Sequence, residues 1–91
     1  MKTNEYLKLL KKALENSLTK CNHKIKLKEY NGVIIVDITI TYGKPKPFMK
    51  SCFTHHDVIS MPTDFTYGVA KVQASLITST MFGVMSTFFL D

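Results

Sequence analysis

Two groups of residues in this chain have side chains suited to chemistry. Cys21-x-His23 and Cys52-x-x-His55-His56 supply two thiols and three imidazoles, the donor types that hold zinc in a tetrahedral site. Cys21, His23, Cys52 and His55 would form the smallest such set. Their spacing is not that of a zinc finger or ribbon. Two ordinary buried cysteines with surface histidines explain them equally well. The second group is Cys52 with His55 or His56 and Asp57, a thiol with a base and an orienting carboxylate. No glycine-rich elbow accompanies it, and the chain has no phosphate-binding glycine loop, dinucleotide fingerprint or paired-carboxylate motif. These absences point to a binding protein and not an enzyme, and to no resident cofactor.

Charge gives the stronger signal. The formal net charge is +5, all twelve basic residues are lysine, and eleven of them fall within residues 1–50. That half holds four carboxylates, Glu5, Glu15, Glu29 and Asp37. A basic half favours anionic partners such as nucleic acid or an acidic protein surface. The absence of arginine argues against bidentate readout of guanine, so any nucleic-acid contact should fall mainly on phosphate. The opposing explanation is physical too: lysines on an edge strand keep sheets from pairing edge to edge.

The elements that must position these lysines can be read from spacing. Residues 4–19 read as an amphipathic helix, with Thr3 or Asn4 as cap and Glu5 in the first turn, where the helix dipole favours it. Leu7, Leu10, Leu14 and Leu18 lie along one face beside Tyr6 and Ala13, and Lys8, Lys11, Lys12 and Glu15 take the other. Asn31-Gly32 then predicts a type I′ hairpin, because that turn needs positive φ at both central residues. Placing the turn there fixes the register: Tyr30 faces Val33, Lys26 faces Asp37, Ile25 faces Ile38, and Cys21 comes opposite Tyr42. Ile25, Leu27, Ile34, Val36, Ile38 and Ile40 then share the core face. Lys24, Lys26 and Lys28 stand in a row on the other face, about 7 Å apart by the strand rise.

Residues 43–50 form a loop stiffened by two prolines, where Lys44, Lys46 and Lys50 extend the cationic surface and Tyr42 and Phe48 flank it as stacking candidates. Residues 48–54 offer an optional third strand with Met49, Ser51 and Phe53 to one side. His55-His56-Asp57 reads as a turn or bulge, followed by a short continuation at Val58-Ile59. Ser60 to Asp64 has the residues of a helix start, and the period is helical from about 64 to 89. Ala70, Ala74, Ile77, Met81, Val84 and Phe88 make one stripe of that helix. Ser75, Ser79, Gly83 and Thr87 make another, whose small side chains would let a second backbone approach and suggest a homodimer.

Residues 72–90 lack Asp, Glu, Lys and Arg and reach bilayer length, so a tail anchor has to be weighed. Gln73 and the many hydroxyls count against it, and membrane association is not expected. The N-terminal charges are not followed by an apolar run, which argues against a signal peptide. Two cysteines do not make a disulfide framework, so a reducing cytoplasmic setting is expected.

The expected fold is α+β in one domain over residues 1–91: helix, hairpin, optional third strand, helix, with one sheet layer packed by helices. That order also occurs in double-stranded-RNA-binding domains. The basic start of their last helix is missing here, since residues 64–70 hold Asp64 and no lysine, so no family resemblance follows. The expected function is a small binding module whose cationic face engages nucleic acid or a nucleic-acid-handling protein. A phage or mobile-element inhibitor that occludes a host protein is the first alternative, and a zinc-stabilised or tail-anchored structural protein the second.

Overall fold

The computed structural model describes residues 3–19, 21–41 and 52–89, with side chains as far as residue 85. The elements run α1 (Thr3–Ser17), β1 (Asn22–Tyr30), β2 (Val33–Thr41), β3 (Cys52–Ser60) and α2 (Tyr67–Phe89). The strands form one antiparallel sheet in the order β1-β2-β3, and both helices cover the same face of it.

Turn chemistry starts the sheet. Asn31 and Gly32 have φ of 50° and 80°, the left-handed pair of a type I′ turn. From there the β1–β2 register runs as the alternation predicts, from Tyr30↔Val33 through Lys26↔Asp37 to His23↔Ile40. Ile25 from β1 and Ile34, Val36, Ile38 and Ile40 from β2 are buried under the helices, and Leu27 packs beside them.

β3 departs from the expected pattern. It is unbroken for nine residues, and His55-His56-Asp57 lies in its middle instead of forming a turn or bulge. Each β3 residue has a partner on β2, from Ile34↔Ile59 to Ile40↔Phe53. The long apolar edge of β2 dictates the extension, overriding the local polarity of the histidines. Phe53, His55, Asp57 and Ile59 face the helices, and Cys52, Thr54, His56, Val58 and Ser60 face outward. The earlier part of the expected third strand, residues 48–51, lies outside the described residues.

The helices meet each other more than they meet the sheet. α1 packs chiefly against α2 and secondarily on β1, while α2 touches the sheet at β3. Tyr6, Leu10, Ala13 and Leu14 form the buried face of α1, and Leu18 closes its end, with its N–H donating to the Glu15 carbonyl at 3.1 Å. Leu7 is only partly buried and sits at the margin of the core, so the face is rotated toward Tyr6 relative to the leucine stripe. α2 begins at Tyr67, later than Ser60–Asp64 would predict. Thr66 caps it: its Oγ1 accepts from the Val69 N–H at 3.2 Å, and its carbonyl accepts from the Ala70 N–H at 3.0 Å. The intervening segment is used for docking, with the Met61 N–H on the Gly32 carbonyl and the Phe65 ring 5.3 Å from that of Tyr6.

Along α2, Ala70, Ala74, Ile77 and Met81 are buried as expected. Val84 is not, and Met85 takes its place against the core. The side chain of Phe88 lies outside the described residues. No helix among the described residues is long and apolar enough to cross a membrane.

Candidate binding surface

The lysine row occupies an edge. β1 is an outer strand of the sheet, and Lys24, Lys26 and Lys28 all project from its uncovered face and are exposed. Pairing across the sheet aligns them in rows: Lys24–Thr39–Thr54, Lys26–Asp37–His56 and Lys28–Ile35–Val58. The Thr39 and Thr54 hydroxyls are 3.4 Å apart. Asp37, the carboxylate beside Lys26, is instead hydrogen-bonded to His56 Nδ1 on the far side. Among the described residues the charged pairs are His56–Asp37 and His55–Asp57, and no described lysine has a described carboxylate partner.

Near the hairpin turn the same face becomes apolar. Tyr30 and Val58 are 58% and 53% exposed, with Val33 and Ile35 between them. Tyr30 is the one large exposed aromatic ring on this face among the described residues, and the His56 imidazole is exposed beside Asp37. Tyr42, Lys44, Lys46, Phe48 and Lys50 lie outside the described residues.

Lys8 and Lys11, three residues apart on α1, come to the same edge. An open groove of about 330 Å³ runs between α1 and β1, floored by Leu7, Ile25 and Leu27 and rimmed by Lys8, Lys11 and Lys26. By helical spacing alone Lys8 and Lys11 belong simply to the solvent side of α1. Their i, i+3 spacing beside the least buried leucine of the stripe was the available signal. Lys12 turns the other way: with Lys71 it lies over the Tyr67 ring, at 5.6 and 5.7 Å from the centroid. Two lysines therefore serve the helix–helix contact, and five surround the β1 edge.

The two chemical constellations do not assemble. Cys21 precedes β1 and is partly buried, and His23 Nδ1 lies 3.1 Å from the Leu18 carbonyl and 3.0 Å from that of Cys21. His55 is on the helix-facing side of β3, across the central strand from β1, and Cys52 is exposed on the opposite side of the sheet. Cys52 and His56 share a face but stand four residues apart, roughly 13 Å by the strand rise. Among the described residues no three His, Cys, Asp or Glu side chains come together in a way that could hold a metal ion.

His55 itself is unusual. It is buried, its Nε2 has no hydrogen-bond partner among the described residues, and the nearest carboxylate oxygen, on Asp57, is 3.7 Å away. Tyr6, also buried, is better served: its hydroxyl donates to Gln73 Oε1, while Gln73 Nε2 donates to the Ser60 carbonyl at 3.1 Å. Loss of water around that phenol raises its pKa above the ordinary 10.0.

The stripe of Ser75, Ser79 and Gly83 is exposed along α2, on the side away from the core, and Thr87's side chain lies outside the described residues. No protein-family model, curated protein or solved structure matches the chain.

Proposed function

We propose that this chain is a non-enzymatic binding module that presents the β1–α1 side to an anionic macromolecule, and that this partner is the acidic surface of a protein. The observation that carries this reading is the β1 edge. Lys8, Lys11, Lys24, Lys26 and Lys28 surround it without carboxylate partners among the described residues, and Lys8, Lys11 and Lys26 rim an apolar floor. Phosphate contacts need no apolar floor. Recognition of single-stranded nucleic acid relies on several stacking rings, and among the described residues this face offers the Tyr30 ring and the His56 imidazole, the latter tied to Asp37. An acidic protein surface with apolar side chains between its carboxylates uses both features. Such a partner includes a protein that itself handles nucleic acid, and an inhibitor that covers a host protein's acidic site would act in the same way. Two free thiols, one of them exposed, suit a reducing cytoplasmic setting.

The test is binding across a salt series of poly-glutamate and of short single- and double-stranded DNA and RNA, comparing the native chain with a Lys24→Ala, Lys26→Ala, Lys28→Ala variant. The expected result is salt-sensitive binding of poly-glutamate that the variant loses. Preferential binding of nucleic acid, with a log–log salt slope that falls by about 1 for each phosphate contact removed, replaces the protein partner by a phosphate backbone. Binding of neither at low salt leaves the lysines as edge protection and overturns the proposal.

We also propose that a second copy covers the outer face of α2. Val72 and Leu76 are 61% and 65% exposed there, in line with Ser79 and Gly83. This face is the long uncharged stretch of a molecule with net charge +5, so two copies can meet through it while their lysine edges stay apart.

A further inference from the structure

We infer that the acidic partner binds as an added strand: an extended segment of alternating acidic and apolar residues pairs with the free edge of β1 and extends the sheet to four strands. This rests on the reading that the lysine side takes an acidic protein, and it adds the mode of binding and the sequence pattern of the ligand.

Backbone geometry supplies the first argument. A type I′ turn closes with a bond between the carbonyl of its first residue and the N–H of its last, and antiparallel pairs alternate between bonded and non-bonded from that point. Tyr30, Lys28, Lys26 and Lys24 therefore bond toward β2. Glu29, Leu27, Ile25 and His23 turn their N–H and C=O groups to the outside of the sheet. No described element pairs with that side of β1. A nine-residue strand whose outer backbone groups meet no described element is a template for another chain.

Side chains supply the second. A strand laid against β1 alternates its residues between the two faces of the sheet. Those on the open face come beside Lys24, Lys26 and Lys28, where carboxylates at every second position would each meet an ammonium group. Those on the helix side come beside Ile25 and Leu27 and over Leu7, in the groove between β1 and α1, where apolar side chains fit. Lys8 and Lys11 close the far wall of that groove and add to the attraction. The other outer strand, β3, has no lysine and carries Asp57, so it lacks this complementarity.

The same lysines exclude the commonest wrong partner. Pairing of β1 with β1 of a second copy would set lysine rows against each other, and like charges on paired strands are destabilising. An edge that rejects itself and accepts an acidic strand is selective through charge, with the backbone bonds common to both.

The experiment uses the full chain and three synthetic peptides as long as β1, nine residues. One alternates Glu and Val. One has the same composition with the Glu residues in one block and the Val residues in another. The third is the alternating peptide N-methylated at every second residue, which removes donors from one edge. Binding is followed by titration and by hydrogen exchange of individual backbone amides. The alternating peptide is expected to bind and to slow exchange at His23, Ile25, Leu27 and Glu29 by at least about tenfold, with the other two binding at least about tenfold more weakly. A protein carrying Lys24→Glu, Lys26→Glu and Lys28→Glu should lose the Glu-Val peptide and take up a Lys-Val peptide instead. Equal binding of the alternating and block peptides, with the four amides exchanging as in the free protein, overturns strand addition while the acidic-partner reading stands. If none of the peptides binds, strand addition is likewise overturned, and the poly-glutamate titration shows whether the acidic-partner reading falls with it.

Discussion

At the scale of single residues, Tyr6 joins three elements. Its hydroxyl meets Gln73 of α2, Gln73 reaches the end of β3, and its ring packs on Phe65. Burial disfavours the phenolate, so the folded-state pKa lies above the unfolded one. The stability this gives is complete below the ordinary value of 10.0 and is lost as pH rises through the folded value. Tyr6→Phe should lower stability at neutral pH by about 1 kcal/mol, through the lost hydrogen bond, and should flatten the decline above pH 10. Urea unfolding at neutral and alkaline pH reads both effects. His55 predicts the opposite sign. Its Nε2 is buried without a hydrogen-bond partner among the described residues, a condition that costs about 1–3 kcal/mol. His55→Leu should therefore leave stability unchanged or raise it by about 1 kcal/mol, and a drop in the unfolding midpoint would show that the Asp57 contact at 3.7 Å contributes more than its length suggests. Neither role was legible in the chain. Gln73 read as an amide unsuited to lipid, and His55 as part of a turn and a candidate partner of zinc or the Cys52 thiol, because the roles seen depend on partners distant in sequence.

At the scale of elements, legibility follows the range of the interactions that decide the structure. The β1–β2 register was readable because a local signal, Asn31-Gly32, and an alternating pattern impose it within twenty residues. β3 was only half readable: its pairing with β2 comes from an apolar edge elsewhere in the chain, and the histidines in its middle hide the alternation. The lysine row of β1 followed directly from the register, whereas the groove beside it needed the packing of α1, which no spacing announces. The turn itself makes a prediction. Gly32 sits at φ 80°, and a Cβ there would meet nothing within 4 Å, so the penalty of Gly32→Ala is conformational and not steric. Stability should fall by about 1 kcal/mol or somewhat more, while the far-ultraviolet spectrum of the folded protein stays the same. No change in the unfolding midpoint would mean that the turn tightness is set by the Met61–Gly32 bond and not by the turn residues.

At the scale of the whole molecule, α2 is apolar on more than one side. Ala70, Ala74, Ile77 and Met81 face the core, and Val72 and Leu76 lie on the opposite side, open to water. A helix that is hydrophobic all round is normally buried all round, and the described fold covers one side of this one. Gly83 sharpens the point. Inside a helix it costs about 1 kcal/mol relative to alanine, yet a Cβ at that position would meet nothing within 4 Å among the described residues. Close approach of a second helix is one explanation for a small residue at 83 beside the exposed side of α2, and a partner of another kind is the other. Two variants separate the explanations. Leu76→Glu places a charge at a position 65% exposed, so it should leave the fold intact but convert a concentration-dependent dimer to a monomer in sedimentation equilibrium. Gly83→Ala should raise the stability of the isolated protomer by up to about 1 kcal/mol while weakening self-association. A native chain that sediments as a monomer at every concentration, with Gly83→Ala simply more stable, would remove the dimer and leave the outer face of α2 to a partner of another kind.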